Sequence, residues 1–360
     1  MNLQVMALLG RKDEPTDAVE EYCCYLDTAF HSHEIRLEIR RMPWEIRGWS
    51  DSLAALRLEA AEWGARWVLV QYTALAWSSR GFPRRVLHVL NILKAAGARI
   101  GVVFHDVEPF PGTRLIDSVR RSFQVHTMRR ALSLADLAVF TVPPENLSWP
   151  PTLPSQAAFV PVGPNLPIPP GLVAHSQDAV PTIGVFSITG GESGVRETQI
   201  ILGSVRHAAQ RLGRLRLSVF GRHAELREVP LRQGLHDLAV ELSVEGVVEP
   251  AQVVKKLSVC DVLLFVRGPI SSRRSSAIAG IACSLPVVAY RGPETAAPIT
   301  DAGVVLVSPD QPDDLNAALV RVLSDATYRM DLASRSRAAF QAHFTWPIIA
   351  ARFSTLLGTR

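Results

Sequence analysis

Apolar, β-branched runs alternate with amphipathic helical stretches along this chain, and that alternation restricts its fold more than any other feature. The runs LQVMALL (3–9), EIRLEI (34–39), WVLVQY (67–72), RIGVVFHD (99–106), LAVFTV (137–142) and AAFVPV (157–162) read as strands. Helical periods fall between them, at 17–30, 52–63, 83–97 and 113–135. Strands apolar on both faces and separated by helices predict a parallel sheet with helices packed on each side. The stretch PVGPNLPIPPGLVAHSQDAVP (161–181) has no period and too much proline for a helix or central strand.

Beyond it the alternation restarts. Strands are expected at 182–188, 216–221, 240–246, 261–268, 285–290 and 303–308, and helices at 197–213, 250–260, 276–284 and 313–325. A helical tail follows, with a break expected at Pro347. The prediction is an α/β chain of two domains, 1–165 and 182–335, joined by a linker over 166–181. The tail, 336–360, is expected to pack back towards the first domain. A chain of 360 residues is long enough for two such cores. Open sheets of this kind bind ligands beyond the carboxyl ends of their strands, so the expected site is a cleft between the domains.

Composition excludes several function classes. At 48% hydrophobic and 20% charged residues, with no apolar run of membrane-spanning length, the chain reads as soluble. MNLQVMALLGRKDEP reads as a buried strand, not a signal peptide, so a cytoplasmic location is expected. Cys23, Cys24, Cys260 and Cys283 show neither a disulfide framework nor zinc spacing. The net charge of +4 comes from arginine, since lysine occurs only at Lys12, Lys94, Lys255 and Lys256. An arginine excess suits phosphate recognition and equally reflects genome composition. Neither G-x-x-x-x-G-K nor G-x-G-x-x-G is present, which argues against an ATPase and an NAD enzyme.

Two segments bring anion-binding chemistry to strand ends. TIGVFSITGGESGVRET (182–198) is a strand, a glycine-rich loop with Gly190, Gly191 and Gly194, and a helix start, where backbone N–H groups approach an anion closely. SSRRSS (271–276) sets Ser272, Arg273, Arg274, Ser275 and Ser276 at another helix start. It reads either as a capped, solvated turn or as a phosphate cradle; its position after a strand favours the cradle.

The segment 261–319 runs in a particular order: an Asp-capped strand, a loop, a small-residue helix, LPVVA, a loop with Glu294, GVVLV, and a helix opening DDL. Together with PVGPN (161–165), His105-Asp106 ending a strand, and the tail HFTWPIIAARF, it resembles the retaining glycosyltransferase family four. That resemblance implies the GT-B fold, two Rossmann-like domains facing each other across a cleft. It also implies transfer of a sugar from a nucleotide-diphosphate sugar to an acceptor hydroxyl, with retention, in glycan or glycoconjugate biosynthesis.

By the same resemblance the donor diphosphate is met by the glycine loop, with Ser187 where the family has arginine and Arg196 nearest its lysine. Glu294 is the surviving donor-side carboxylate, and His105 contacts the transferred sugar. His105, Arg196 and Glu294 are therefore the expected catalytic residues. Gly10, Arg11, Lys12, Asp13, Tyr72 and Asp106 fall on the acceptor side. The family's glutamate pair is replaced by Ser271 and Ala279. That loss leaves a second reading open, a catalytically degenerate scaffold or partner subunit that binds a nucleotide or glycan; a GT-B epimerase or phosphorylase is less favoured.

No cofactor and no metal are expected, and His31 and His33 lack further ligands to form a metal site. The expected partners are a nucleotide sugar and a carbohydrate or lipid-linked acceptor. Arg114, Arg120, Arg121, Arg129 and Arg130 along one helix read first as a solvated face. Peripheral contact with an anionic membrane is the alternative, and the lack of interleaved aromatics argues against nucleic acid.

Overall fold

The computed structural model describes residues 3–110, 112, 114–150, 152–172 and 180–358. The strand runs become β1 (Leu3–Leu9), β2 (Ile35–Arg41), β3 (Trp67–Tyr72), β4 (Arg99–Phe104), β5 (Leu137–Phe140) and β6 (Ala157–Phe159). Between them lie α1 (Ala18–Phe30), α2 (Trp44–Ala60), α3 (Val86–Ala95) and α4 (Leu115–Leu134). The strands pair in parallel, in the order β2-β1-β3-β4-β5-β6. β3 is buried along its whole length, whereas the edge strand β2 alternates buried and exposed side chains. That contrast is expected between central and edge positions of a helix-covered sheet.

The chain starts in the interior of this sheet, adds β2 on one side of β1, and then crosses to β3 on the other. Because parallel crossovers are right-handed, the reversal sends α1 to one face and α2, α3 and α4 to the other. The core beneath the latter three gathers Leu56, Val89, Leu93, Met128 and Leu132 against Met6, Val70 and Phe104.

A second unit repeats the plan with β7 (Thr182–Phe186), β8 (Leu215–Phe220), β9 (Val240–Glu245), β10 (Val262–Phe265), β11 (Val287–Tyr290) and β12 (Val304–Val307). Its helices are α5 (Gly191–Leu212), α6 (Glu228–Leu235), α7 (Pro250–Ser258), α8 (Ser275–Ala282), α9 (Pro312–Ser324) and α10 (Ala326–Ala339). The order β12-β11-β10-β7-β8-β9 is again all parallel and again reverses at its first strand. α11 (Trp346–Gly358) closes the chain. The first unit comprises the chain up to Pro161 together with Trp346 onwards; the second runs from Val162 to Thr345. Val162 already belongs to the second unit, its N–H donating to Ser272 O at 3.1 Å. Residues 173–179 of the expected linker lie outside the described residues.

Two local departures from the sequence reading have clear causes. α2 begins at Trp44, eight residues before the periodic stretch at 52–63, and turns at Gly48 with φ +75°. Trp44 and Trp49 stack at 4.9 Å, and Trp44 Nε1 donates to Ala76 O at 3.1 Å. Aromatic packing holds a segment whose periodicity is weak. At the tail the break falls at Thr345, which is extended with ψ 145°. Pro347 then sits in the first turn of α11, where its missing N–H costs nothing.

α11 packs on α1 through Phe353 against Phe30 and Trp346 against Tyr22 and Tyr25. Trp67, 1% exposed, donates Nε1–H to Leu357 O at 3.1 Å. Trp67→Phe keeps most of the apolar bulk and orphans that carbonyl, so it is expected to lower stability by about 1–2 kcal/mol. Urea unfolding at neutral pH checks this; Trp67→Ala should cost about 3–5 kcal/mol.

Candidate functional site

Strand-order reversal leaves a crevice at the carboxyl ends of the two strands that flank it, because the crossovers there leave in opposite directions. In the second unit those strands are β7 and β10. The loop after β7 is anchored by Ser187 N to Phe220 O at 2.7 Å and Ile188 N to Arg222 O at 2.9 Å. Ser187 is buried with φ +67°, and its Oγ lies against Gly221, where an added Cβ would stand 2.6 Å away. Gly190 precedes α5, Gly191 opens it and Gly194 closes its first turn. A Cβ on Gly194 would stand 1.9 Å from Thr189 O, so only glycine lets the loop lie this close to the helix. Glu197 Oε2 accepts from Thr189 N at 2.7 Å and fixes the loop from below.

Three half-buried arginines surround this loop. Arg227 donates to Gly191 O at 3.1 Å, Arg222 follows β8, and Arg267 lies two residues past β10. Arg267 also reaches Ser276 Oγ at 3.4 Å. Burial lowers the Arg267 pKa, the Glu197 charge opposes this, and the nearby Arg222 charge adds to it. Two guanidiniums that feel each other, with the buried Glu197 carboxylate acting on Arg267 and a helix N-terminus alongside, gather the donor groups that an anion prefers.

The SSRRSS segment is built differently from either sequence reading. Arg273 holds Glu294 in a two-pronged pair, Nε to Oε2 at 2.6 Å and Nη2 to Oε1 at 2.9 Å. Ser271 Oγ adds a third bond to Glu294 at 3.1 Å. Burial alone would raise the Glu294 pKa, but the Arg273 bonds and charge, with Arg274 assisting, hold it below the usual carboxylate range. Ser272 and Ser276 are buried, Ser275 opens α8, and the Arg274 guanidinium folds towards Gly268. Arg273 and Glu294 therefore neutralise each other, and the other guanidiniums of this region belong to Arg267, Arg222 and Arg274. Arg196 lies apart on the exposed second turn of α5, its guanidinium near Ser193 Oγ at 3.4 Å.

In the first unit the reversal lies between β1 and β3, and a cavity of about 230 Å³ opens there. Gly10, Arg11, Asp13 and Asp106 all line it. A Cβ on Gly10 would stand 2.2 Å from Ala76 O, so glycine is required where Arg11 N bonds that carbonyl at 2.8 Å. Lys12 stays at the surface near Glu14 at 3.9 Å. Tyr72 needs correcting as an acceptor-side residue: its ring is wholly buried against Phe104, and the loop after it lines the cavity instead.

Asp17, Arg41 and Gln71 complete the cavity wall. Asp17 caps α1 and pairs with Arg41 at 3.0 Å, while Arg41 also holds Gly10 O at 3.1 Å. Gln71 Nε2 donates to Leu69 O, leaving its Oε1 to accept from His105 Nε2 at 2.8 Å. His105 Nδ1 is thereby left as an acceptor. Enclosure of the ring, edge-on to Tyr22 at 5.0 Å, pushes the His105 pKa down to about 4 against the attraction of Asp17. The imidazole is neutral at pH 7 and acts as a hydrogen-bonding group.

The sequence reading missed Arg222, Arg267, Arg41 and Gln71. Each stands at or just past the carboxyl end of a strand, as His105 and SSRRSS do. Arg267 and Arg222 were overlooked because single arginines after VLLFV and VFG carry no motif. Among the described residues no group of three or more His, Cys, Asp or Glu is placed to hold a metal ion.

By sequence the chain matches no family model and no curated protein. Solved structures match it end to end. A glycosyltransferase from Rickettsia africae has a TM-score of 0.66 at 10% identity, covering 100% of this chain and 99% of that one. A trehalose 6-phosphate synthase from Burkholderia multivorans gives 0.65 at 13%, again over 100% and 99%. Anabaena HepE in complex with UDP-glucose gives 0.64 at 14%, over 99% and 100%. The fold is GT-B.

In GT-B terms the second unit's arginine-rich loop and the first unit's cavity occupy the same place in two Rossmann-like domains. Ala279, one of the two positions at which the sequence resemblance places a glutamate, is wholly buried in α8. Glu294→Gln should lower stability at neutral pH by about 2 kcal/mol through loss of the charged pair. Because the folded pKa is depressed, this contribution is full above the ordinary value of 4.5 and disappears as pH falls through the folded value. Unfolding measured from pH 7 to pH 3 should show the two proteins converging.

Proposed function

We propose that the protein is a glycosyltransferase that moves a sugar from a nucleotide-diphosphate sugar to an acceptor hydroxyl. The observation that carries the reading is the cradle of Arg222, Arg267, the 187–194 loop and the α5 N-terminus at the strand-order reversal of a GT-B fold. The solved relatives support the donor class, since HepE is described with UDP and with UDP-glucose.

In this reading the second unit binds the donor. As the glycosidic bond breaks, negative charge grows on the departing diphosphate. Guanidiniums and N–H groups already aimed at that position stabilise it without reorganising. The first unit's cavity offers the acceptor a wall of hydrogen-bonding groups, Asp17, Arg41, Gln71 and Asp106. Neutral His105, its Nε2–H held by Gln71, offers Nδ1 as an acceptor without adding charge near the reacting sugar. Retention follows from the family-four resemblance: the acceptor attacks from the face the donor phosphate leaves, and a phosphate oxygen takes its proton. A carbohydrate or lipid-linked acceptor, a role in glycan or glycoconjugate assembly, a cytoplasmic location and a reaction without metal complete the proposal.

The second reading, a nucleotide- or glycan-binding GT-B scaffold without turnover, is favoured by one observation. Glu294, the remaining donor-side carboxylate, is fully engaged by Arg273 and Ser271.

Nucleoside diphosphates should raise the thermal midpoint, and Arg267→Met should weaken that binding by about tenfold or more. Arg267→Lys should recover part of it, and Arg196→Ala should have a smaller effect. No stabilisation by any nucleotide in a panel would overturn the reading. Release of free nucleotide from a sugar nucleotide, faster with an acceptor panel, marks the transferase; binding without release marks the scaffold.

A further inference from the structure

α4 turns Asp117, Gln124, Thr127, Met128, Ala131 and Leu132 towards the core of the first unit. The opposite side of its first turns carries Leu115, Ile116, Val119 and Phe123, which are 92%, 51%, 49% and 38% exposed. Their spacing places them in one stripe. A solvated face would be polar there, so four large apolar side chains in a row require a partner. Phe110, 48% exposed, extends the stripe, its N–H held by Gln124 Oε1 at 2.7 Å.

The loop before α3 joins the same surface. Arg120 Nε donates to Arg80 O at 3.1 Å, and Phe82 meets Phe123 edge-on at 5.6 Å. Exposed Arg80, Arg84, Arg114 and Arg121 lie on these two segments. The one acid of the first three turns, Asp117, is buried and paired with Arg120. The surface is thus apolar along its ridge and cationic around it.

We propose that this face docks on an anionic lipid bilayer. The ridge enters the region between headgroups and acyl chains, while the arginines pair with lipid phosphates. Charge chooses this occupant over a second copy of the chain. A two-fold contact through the same face would bring the arginines of both copies together, with no exposed acid among the described residues of these two segments to offset them. None of the described helices is long and apolar enough to cross a membrane, so the attachment is peripheral and reversible. The proposal goes beyond the donor reading and does not depend on it.

The test is co-sedimentation of the full chain with vesicles of phosphatidylcholine alone, or of phosphatidylcholine with phosphatidylglycerol. Binding is expected to the second kind, falling as salt rises. Two double variants, Leu115→Glu with Val119→Glu and Arg84→Glu with Arg121→Glu, should each reduce partitioning at least about tenfold. All four positions are exposed, so both variants should keep the circular dichroism and the nucleotide-induced thermal shift of the parent. No binding to phosphatidylglycerol vesicles, or equal binding by either variant, would overturn the proposal. Self-association of the parent that is lost in Leu115→Glu with Val119→Glu, without vesicle binding, would also overturn it and give the face to a second copy. Failure of the parent to bind any nucleotide would sink the donor reading alone.

Discussion

Right-handed crossovers that change direction at β1 and again at β7 govern the rest of this molecule. Once two helices leave neighbouring strands on opposite faces, the strand ends between them are uncovered and backbone N–H groups point outwards. The polar groups of the two candidate sites stand at those openings. Gly10, Asp17 and Gln71 stand at the first, and the 187–194 loop with Arg222 and Arg267 at the second. The side chains are local decoration on a geometry that handedness imposes.

The two openings differ in charge, and the difference separates their chemistry. In the second unit, arginines outnumber the nearby carboxylates even after Arg273 and Glu294 cancel. In the first, Asp17 and Arg41 pair directly and balance each other, while neutral Gln71 holds neutral His105. In the proposed reading the guanidiniums meet the phosphate oxygens of a donor, and the balanced wall of donors and acceptors meets the hydroxyls of an acceptor.

The architecture was legible in the sequence because the inner strands of both sheets read as continuous apolar runs, while the edge strands β2 and β9 alternate with the period of a strand. The start of α2 was not, since it is held by Trp44, Trp49 and a kink at Gly48 rather than by a repeating pattern. For the candidate sites, glycine loops announce themselves through residues that tolerate close backbone approach. Arg267 does not: its role comes from proximity to Arg222 and Glu197, which lie far from it in sequence. Conversely, SSRRSS advertised two free cations, and only the folded chain joins Arg273 to Glu294. Exposed Leu115 and Val119 were hidden in the same way, because a helical period shows which residues share a face but not which face is turned outwards.

The hold of α11 on α1 has a consequence for biosynthesis. Phe353, Trp346 and the Leu357 carbonyl cover Phe30, Tyr22 and Trp67, yet they are made more than 270 residues later. The second unit, one uninterrupted segment, has all its parts before the first does. The usual order in which a nascent chain matures from its amino end is therefore inverted here. Until the last helix emerges, an aromatic groove on the first unit is open to whatever holds young chains apart.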